Sequence, residues 1–283
     1  MPSSSGQFVS GLQQLSLNTK GLIEFPEHVL EAISDAGYKT LELNLGSALS
    51  HVKDLKMWMK SSMVTRCKQL SISSASLPIF DLATGNTERI KILKHSLSIL
   101  DEIEVRKASV IIEGLPIASF DSLSHKKALT IVKRILEETS SRNIELSLEN
   151  SAKKTEIFAS IDTLVSVISG LRDKNLGIAV DVGHAFVTGQ EPHKVLAESL
   201  SFTKSVHLSD NDGVSDLHKS IGQGKIDYFR IFDTFRKTEF DGSIFLEVDL
   251  SHLRNDCKTM KDVLLRNQFY WQAYRLGTLD IPA

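Results

Sequence analysis

The sequence predicts a single-domain α/β protein of the (β/α)8 barrel type, and three observations predict it. Short apolar runs rich in leucine and β-branched residues alternate with longer segments of helical spacing, and this happens eight times. No Pro- or Ser-rich linker interrupts the series. Four consecutive apolar runs close on a carboxylate or an imidazole, at Glu149, Asp181, His207 and Glu247. Strand–helix alternation implies parallel strands with right-handed crossovers. Eight units in 283 residues suit a closed barrel, typically about 250 residues long, better than an open doubly wound sheet. No Gly-x-Gly-x-x-Gly follows the first run, so no nucleotide cofactor is expected.

Residues 1–11 read as a flexible N-terminal lead-in and residues 12–283 as the barrel. The first strand is expected at 15–18. Its helix spans 26–36, with Pro26 suited to the first turn and Gly37 closing it. The second strand is 40–44, with a helix around 52–63 whose Lys53, Lys56 and Lys60 form a solvated face. The third strand is 68–73. A loop then leads to Asn86 or Thr87 as the cap of a long helix, with Ile90, Leu93, Leu97 and Leu100 on one face. Strands follow at 108–113, 144–149, 176–181, 204–208 and 243–248. Helices follow them at 122–140, 157–169, 192–200, 227–237 and 259–276. Trp58, Trp271 and Tyr274 fall at helical positions and read as packing or interface residues, which leaves a homodimer open.

Composition narrows the function classes. The chain is 41% apolar and 24% charged, an ordinary balance for a soluble domain. No apolar run approaches the ~18 residues of a membrane span, so no membrane partner is expected. The start of the chain has neither a basic segment nor an apolar one, so no secretory signal is read there. Cys67 and Cys257 are too far apart for a zinc-finger spacing and form no disulfide framework, so a cytoplasmic location is expected. A net charge of -2 lacks the basic excess of a nucleic-acid-coating protein. A small-molecule substrate is the expectation.

In a barrel, residues at the C-terminal ends of the strands converge on one mouth. Each of the four polar strand ends, taken alone, is also what a solvent-facing strand end looks like. Four in succession differ, because clustered carboxylates repel one another unless a cation compensates them. Glu149, Asp181, His207 and Glu247 are therefore read as metal ligands. An oxygen-rich set with one nitrogen favours a single divalent ion, Mn²⁺, Mg²⁺ or Co²⁺, with Zn²⁺ allowed. Such an ion can stabilise an enediolate while a neighbouring glutamate moves a proton on the adjacent carbon.

Several stretches carry a resemblance. Leu148-Glu149-Asn150, the run from Val180 to His184, Val206 to Gly213, His218 to Asp227 and Phe245-Leu246-Glu247 are similar to the xylose isomerase-like barrel superfamily. Residues 26–45 resemble its first helix and second strand more loosely. That superfamily includes sugar isomerases and epimerases, inosose dehydratases and endonuclease IV-type enzymes. The resemblance implies that Glu149, Asp181, His207 and Glu247 match the shared metal ligands, and that Glu149 and Glu247 also act as the acid/base pair. It implies that His184 contacts substrate hydroxyls in epimerases or a second metal in endonucleases; read without the resemblance, His184 is a loop histidine capping a helix. His218 stands where isomerases carry a substrate-touching Arg or His. Asp216 with His218 matches the endonuclease Asp-x-His pair. Glu42, with Asn44 and Asn18, would line the pocket, and Glu113 would face substrate or substitute as a ligand. Gly222-Gln223-Gly224 reads as an ordinary loop-to-helix turn.

The endonuclease members use further histidines after the third and fourth strands. Here those positions hold Ser73-Ser74 and Glu113-Gly114. The sequence therefore reads as a metal-dependent isomerase or epimerase of a small sugar, sugar phosphate or polyol derivative. An abasic-site endonuclease, an inosose-type dehydratase and a non-catalytic barrel are the alternatives.

Overall fold

The computed structural model describes residues 14–20, 27–48, 70–117, 122–238 and 240–275. Among them are the strands β1 Leu15–Asn18, β2 Thr40–Asn44, β3 Ser71–Ser76, β4 Phe80–Asp81 and β5 Lys107–Glu113. The series continues with β6 Glu145–Glu149, β7 Leu176–Asp181, β8 Thr203–Leu208 and β9 Ser243–Leu246. All neighbours pair in parallel, in the order β3-β2-β1-β9-β8-β7-β6-β5, and β3 pairs back onto β5. Eight strands thus close the barrel. The two-residue β4 prolongs the seam: β3 meets the start of β5 at Ala108 and Ser109, and β4 meets its end at Ile112 and Glu113.

The helices are α1 Glu27–Asp35, α2 Leu45–Ala48, α3 Asn86–Glu102, α4 Ser122–Ser140, α5 Ile161–Leu171, α6 Val182–Val187, α7 Pro192–Ser199, α8 Tyr228–Lys237 and α9 Cys257–Arg275. Strands of such a barrel are covered on both faces, so they read as continuous apolar runs; β7 is buried at every residue. Helices contribute one stripe each: α5 buries Ile161, Leu164, Val167 and Ile168. Asp227 caps α8 by accepting a hydrogen bond from the Arg230 amide at 3.2 Å. The ring closes where α9 meets α1. Tyr38 Oη donates to the Leu264 carbonyl at 3.3 Å, and Lys261 Nζ lies 2.8 Å from Asp35 Oδ2. Trp271 and Tyr274 pack α9 onto Phe232 of α8, with ring centroids 5.5 and 4.6 Å away.

Some boundaries differ from the sequence reading. The third strand lies three residues later than the periodicity suggests. Its serines mark no apolar end, and pairing decides: the Ser71 amide bonds the Lys39 carbonyl at 2.9 Å, and β2 shifts register between Leu41 and Glu42. Helix α3 has Gly85 at its cap, with no side-chain cap from Asn86 or Thr87. Helix α6 is too short for its period to show in sequence. The lead-in at 1–11, the helix expected at 52–63 with its lysines and Trp58, and Cys67 lie outside the described residues. No described helix is long and apolar enough to cross a membrane.

Candidate metal centre

Side chains alternate along a strand, so residues two apart share a face. Glu149 pairs with Ala179, which places Asp181 on the same side one step further along. Asp181 pairs with His207, His207 pairs with Phe245, and Glu247 follows two residues on. Register thus delivers four side chains to one place at the C-terminal mouth. Glu149, Asp181, His207 and Glu247 each offer a ligand atom within 4.8 Å of the others, and all four residues are buried.

Buried polar atoms are normally paired. Here Asp181 Oδ1 accepts the His184 amide at 2.8 Å, while Asp181 Oδ2, His207 Nδ1 and Glu247 Oε2 have no hydrogen-bond partner. His207 Nδ1 lies 2.9 Å from Glu247 Oε2 and 3.5 Å from Glu149 Oε2. Three buried polar atoms converging without a hydrogen-bond partner are what a divalent cation satisfies, so these residues fit one. Burial works against a charged His207, yet the carboxylates of Glu42, Glu149 and Glu247 hold the imidazole well above its ordinary range. Burial would raise Glu247, but His207 and Lys20 pull its carboxyl below the ordinary range. Burial pushes Asp181 up.

Glu42 lies behind this cluster. Its carboxylate is fully buried, accepts from Asn18 Nδ2 at 2.7 Å and Ser74 Oγ at 3.0 Å, and sits 2.9 Å from His207 Nε2. It flanks the Nε2 edge of the imidazole, which like Nδ1 makes no hydrogen bond, and leaves Nδ1 toward Glu149 and Glu247; a carboxylate behind the ring is the usual arrangement around a metal-binding histidine. Glu113 belongs to neither cluster: it is buried at the end of β5 and pairs with Lys153.

A second cluster adjoins the first. One ligand atom each from His184, Asp216 and His218 lies within 4.8 Å of the others. The ring of His184 places Nδ1 2.8 Å from the Asn150 carbonyl, and that of His218 places Nδ1 3.1 Å from the Glu247 carbonyl. In each, Nδ1–H donates to backbone, and Nε2 faces Asp216 Oδ2, at 3.3 and 2.8 Å. Burial opposes charge on His184, but Asp181, Asp216 and Glu149 push it up to about 10. Burial would raise Asp216; hydrogen bonds and charge from the two histidines hold it far below the carboxylate range.

Local sequence builds this loop. Fully buried Asp210 accepts from the amides of Asn211, Gly222 and Ile226 at 2.9, 2.9 and 3.1 Å. The glycine turn is therefore tied inward, as an ordinary turn is. Asn211 Oδ1 accepts from the amides of Leu217 and His218, which carry His218 into place at φ 45. A Cβ at Gly183 would collide with Ser209 and Asn211, so only glycine lets α6 start this close to the β8 loop.

Two residues escaped the sequence reading. Asn150 clamps β6 to β7: its Oδ1 accepts the Asp181 amide at 2.7 Å and its Nδ2 donates to the Asp181 carbonyl at 2.9 Å. Lys20, just beyond β1, brings its ammonium 3.4 Å from Glu247 Oε1 and into contact with His218 Nε2. Its position past the first strand end was the available signal.

Residues 30–264 match the family described as the xylose isomerase-like TIM barrel. The chain belongs to that family. Among curated relatives, an uncharacterised protein of Methanocaldococcus jannaschii is 29% identical over 121 residues, 41% of either chain. A probable endonuclease 4 of Mesomycoplasma hyopneumoniae is 28% identical over 132 residues, 42% of this chain and 46% of that one. These matches span less than half the length of either relative. Solved structures share the fold over most of their length. A D-tagatose 3-epimerase-like protein has a TM-score of 0.71 at 20% identity, covering 92% of this chain and 98% of that one. The IolI protein, solved with a bound zinc atom, has a TM-score of 0.72 at 13% identity, covering 95% and 100%.

Proposed function

We propose that this family member is a divalent-metal-dependent isomerase or epimerase acting on a small sugar, sugar phosphate or polyol derivative. The observation that carries this reading is the convergence of Asp181 Oδ2, His207 Nδ1 and Glu247 Oε2, all buried and unpartnered, beside Glu149. Glu149, Asp181, His207 and Glu247 would hold the ion. When bound, it polarises a carbonyl oxygen and stabilises negative charge developing on it.

The chain's own residues supply the rest. Glu149 ends β6 and Glu247 directly follows β9, with β7 and β8 between them. In the proposed reaction one carboxylate takes the proton from the carbon beside the carbonyl, leaving an enediolate. The other, entering as the carboxylic acid, returns a proton to the opposite face for epimerisation, or to the neighbouring carbon for isomerisation, in which case the hydroxyl proton also passes from one enediolate oxygen to the other. His184 and His218 present Nε2 edges fixed by their Nδ1–carbonyl bonds, positions suited to orient hydroxyls. Similar sugar epimerase structures support a carbohydrate substrate.

The second reading is an endonuclease-type hydrolase, favoured by one observation: His184, Asp216 and His218 form a second set that could take an ion. The two readings part in one experiment. Incubation with candidate ketoses and Mn²⁺ in D₂O should place deuterium at the carbon beside the carbonyl. No deuterium in any ketose, together with chelator-sensitive nicking of abasic duplex DNA, would reverse the assignment.

A further inference from the structure

The unusual feature of the second cluster is the lysine beside it. Two Nε2 atoms and one carboxylate oxygen, with both Nδ1 atoms already committed to backbone carbonyls, are a three-ligand site. Such a site could take a cation in place of the protons its histidines share with Asp216. The ammonium of Lys20 stands there already, in contact with His218 Nε2 and 3.4 Å from Glu247 Oε1. Its side chain is 31% exposed, so the ammonium is not sealed inside the barrel. The donor inventory fits this placement. Lysine has donors only, and the acceptor it faces is the Glu247 carboxylate, since His218 spends Nδ1–H on the Glu247 carbonyl and turns Nε2 to Asp216 Oδ2 at 2.8 Å.

We propose that Lys20 is a built-in substitute for a second metal ion, so that the centre holds one divalent cation at Glu149, Asp181, His207 and Glu247, while the Lys20 ammonium occupies the cation position beside His218. One divalent ion and one ammonium match in number the carboxylates of Glu149, Asp181 and Glu247; Glu42, the further buried carboxylate, accepts from Asn18 and Ser74 and faces His207. Asp216 is left to the two histidines, which face it at 3.3 and 2.8 Å. A divalent ion bound to His184, Asp216 and His218 would lie against the ammonium, and the two cations would repel each other. The inference rests on the four-residue cluster being a metal centre. It has a consequence for the reaction: a primary ammonium can donate hydrogen bonds to a substrate hydroxyl or enediolate oxygen, whereas a second ion would generate a hydroxide nucleophile suited to phosphodiester hydrolysis.

The test is metal stoichiometry, read without any activity assay. Chelator-stripped full-length protein is dialysed to equilibrium against Co²⁺, chosen because it accepts both nitrogen and oxygen ligands, and bound cobalt per chain is measured. The wild type should bind one ion. Lys20→Met should bind two, with added visible absorbance from the second ion. Lys20→Arg, which keeps the charge, should bind one, and Lys20→Met combined with His218→Asn should return to one. Circular dichroism checks the fold of each variant, and Lys20→Gln serves if Lys20→Met does not fold. Two ions in the wild type, or one in both uncharged variants, overturns the proposal. No ion in the wild type defeats the metal-centre reading itself, a result distinct from either.

Discussion

His207 Nε2 lies 2.9 Å from Glu42 Oε2, on the edge of the ring opposite the one that faces Glu149 and Glu247. A carboxylate in that position fixes the tautomer and raises the basicity of the ligating nitrogen. Glu42→Gln keeps the shape and removes the charge. Metal affinity, measured by competition with a chromophoric chelator, should fall about 10- to 100-fold. Unchanged affinity would show that Glu42 contributes no more than packing.

Glu247→Gln should lower turnover by about 10²-fold or more, because a positioned acid/base contributes typically 10²–10⁴. Glu247 is also a candidate ligand, so bound metal must be measured in the same samples. Retained turnover with bound metal would remove Glu247 from proton transfer.

Ion binding should also appear as stability. A site formed only in the folded chain stabilises it by about 2.7 kcal/mol when the free ion is at 100 times its Kd. For a domain of this size that is a Tm increase of roughly 5–10 °C. Differential scanning fluorimetry with Mn²⁺ or Co²⁺, reversed by chelator, makes the measurement. A flat Tm would favour a barrel with a relic site.

The metal-free protein should show its histidines in its pH dependence. His184 is raised to about 10 in the folded chain, against an unfolded value of about 6.5. Its contribution is complete below the unfolded value and is lost as pH rises toward the folded one. The Tm should therefore fall between pH 7 and 10, and less steeply in His184→Asn. Asp216 acts in the other direction: its folded value is depressed, so its contribution is present above about pH 4 and disappears below it. Because the carboxylates of Glu42, Glu149 and Glu247 favour protonated His207 in the metal-free fold and a ligand histidine binds as neutral imidazole, ion uptake at neutral pH should release protons.

The barrel was legible because eight apolar runs and their helices follow one another without interruption, and the first four candidate ligands were legible because each closes such a run. What sequence could not show was contact across the barrel. Glu42 closes the second run as Glu149 closes a later one, yet register and the bonds from Asn18 and Ser74 turn it behind His207. Lys20 lies past a four-residue strand, and its proximity to His218, 198 positions away, depends on the chain between them folding into a ring. The third strand slid by three residues because serines alternate through it without an apolar boundary.

The central claim is that four strand ends hold one divalent ion. Anomalous diffraction from crystals grown with Mn²⁺, collected at the manganese edge, tests it most directly. The expected result is a single peak within coordination distance, about 2.0–2.4 Å, of Glu149, Asp181, His207 and Glu247. A saturated crystal with no peak among those residues, or with its ion elsewhere in the mouth, would contradict the account.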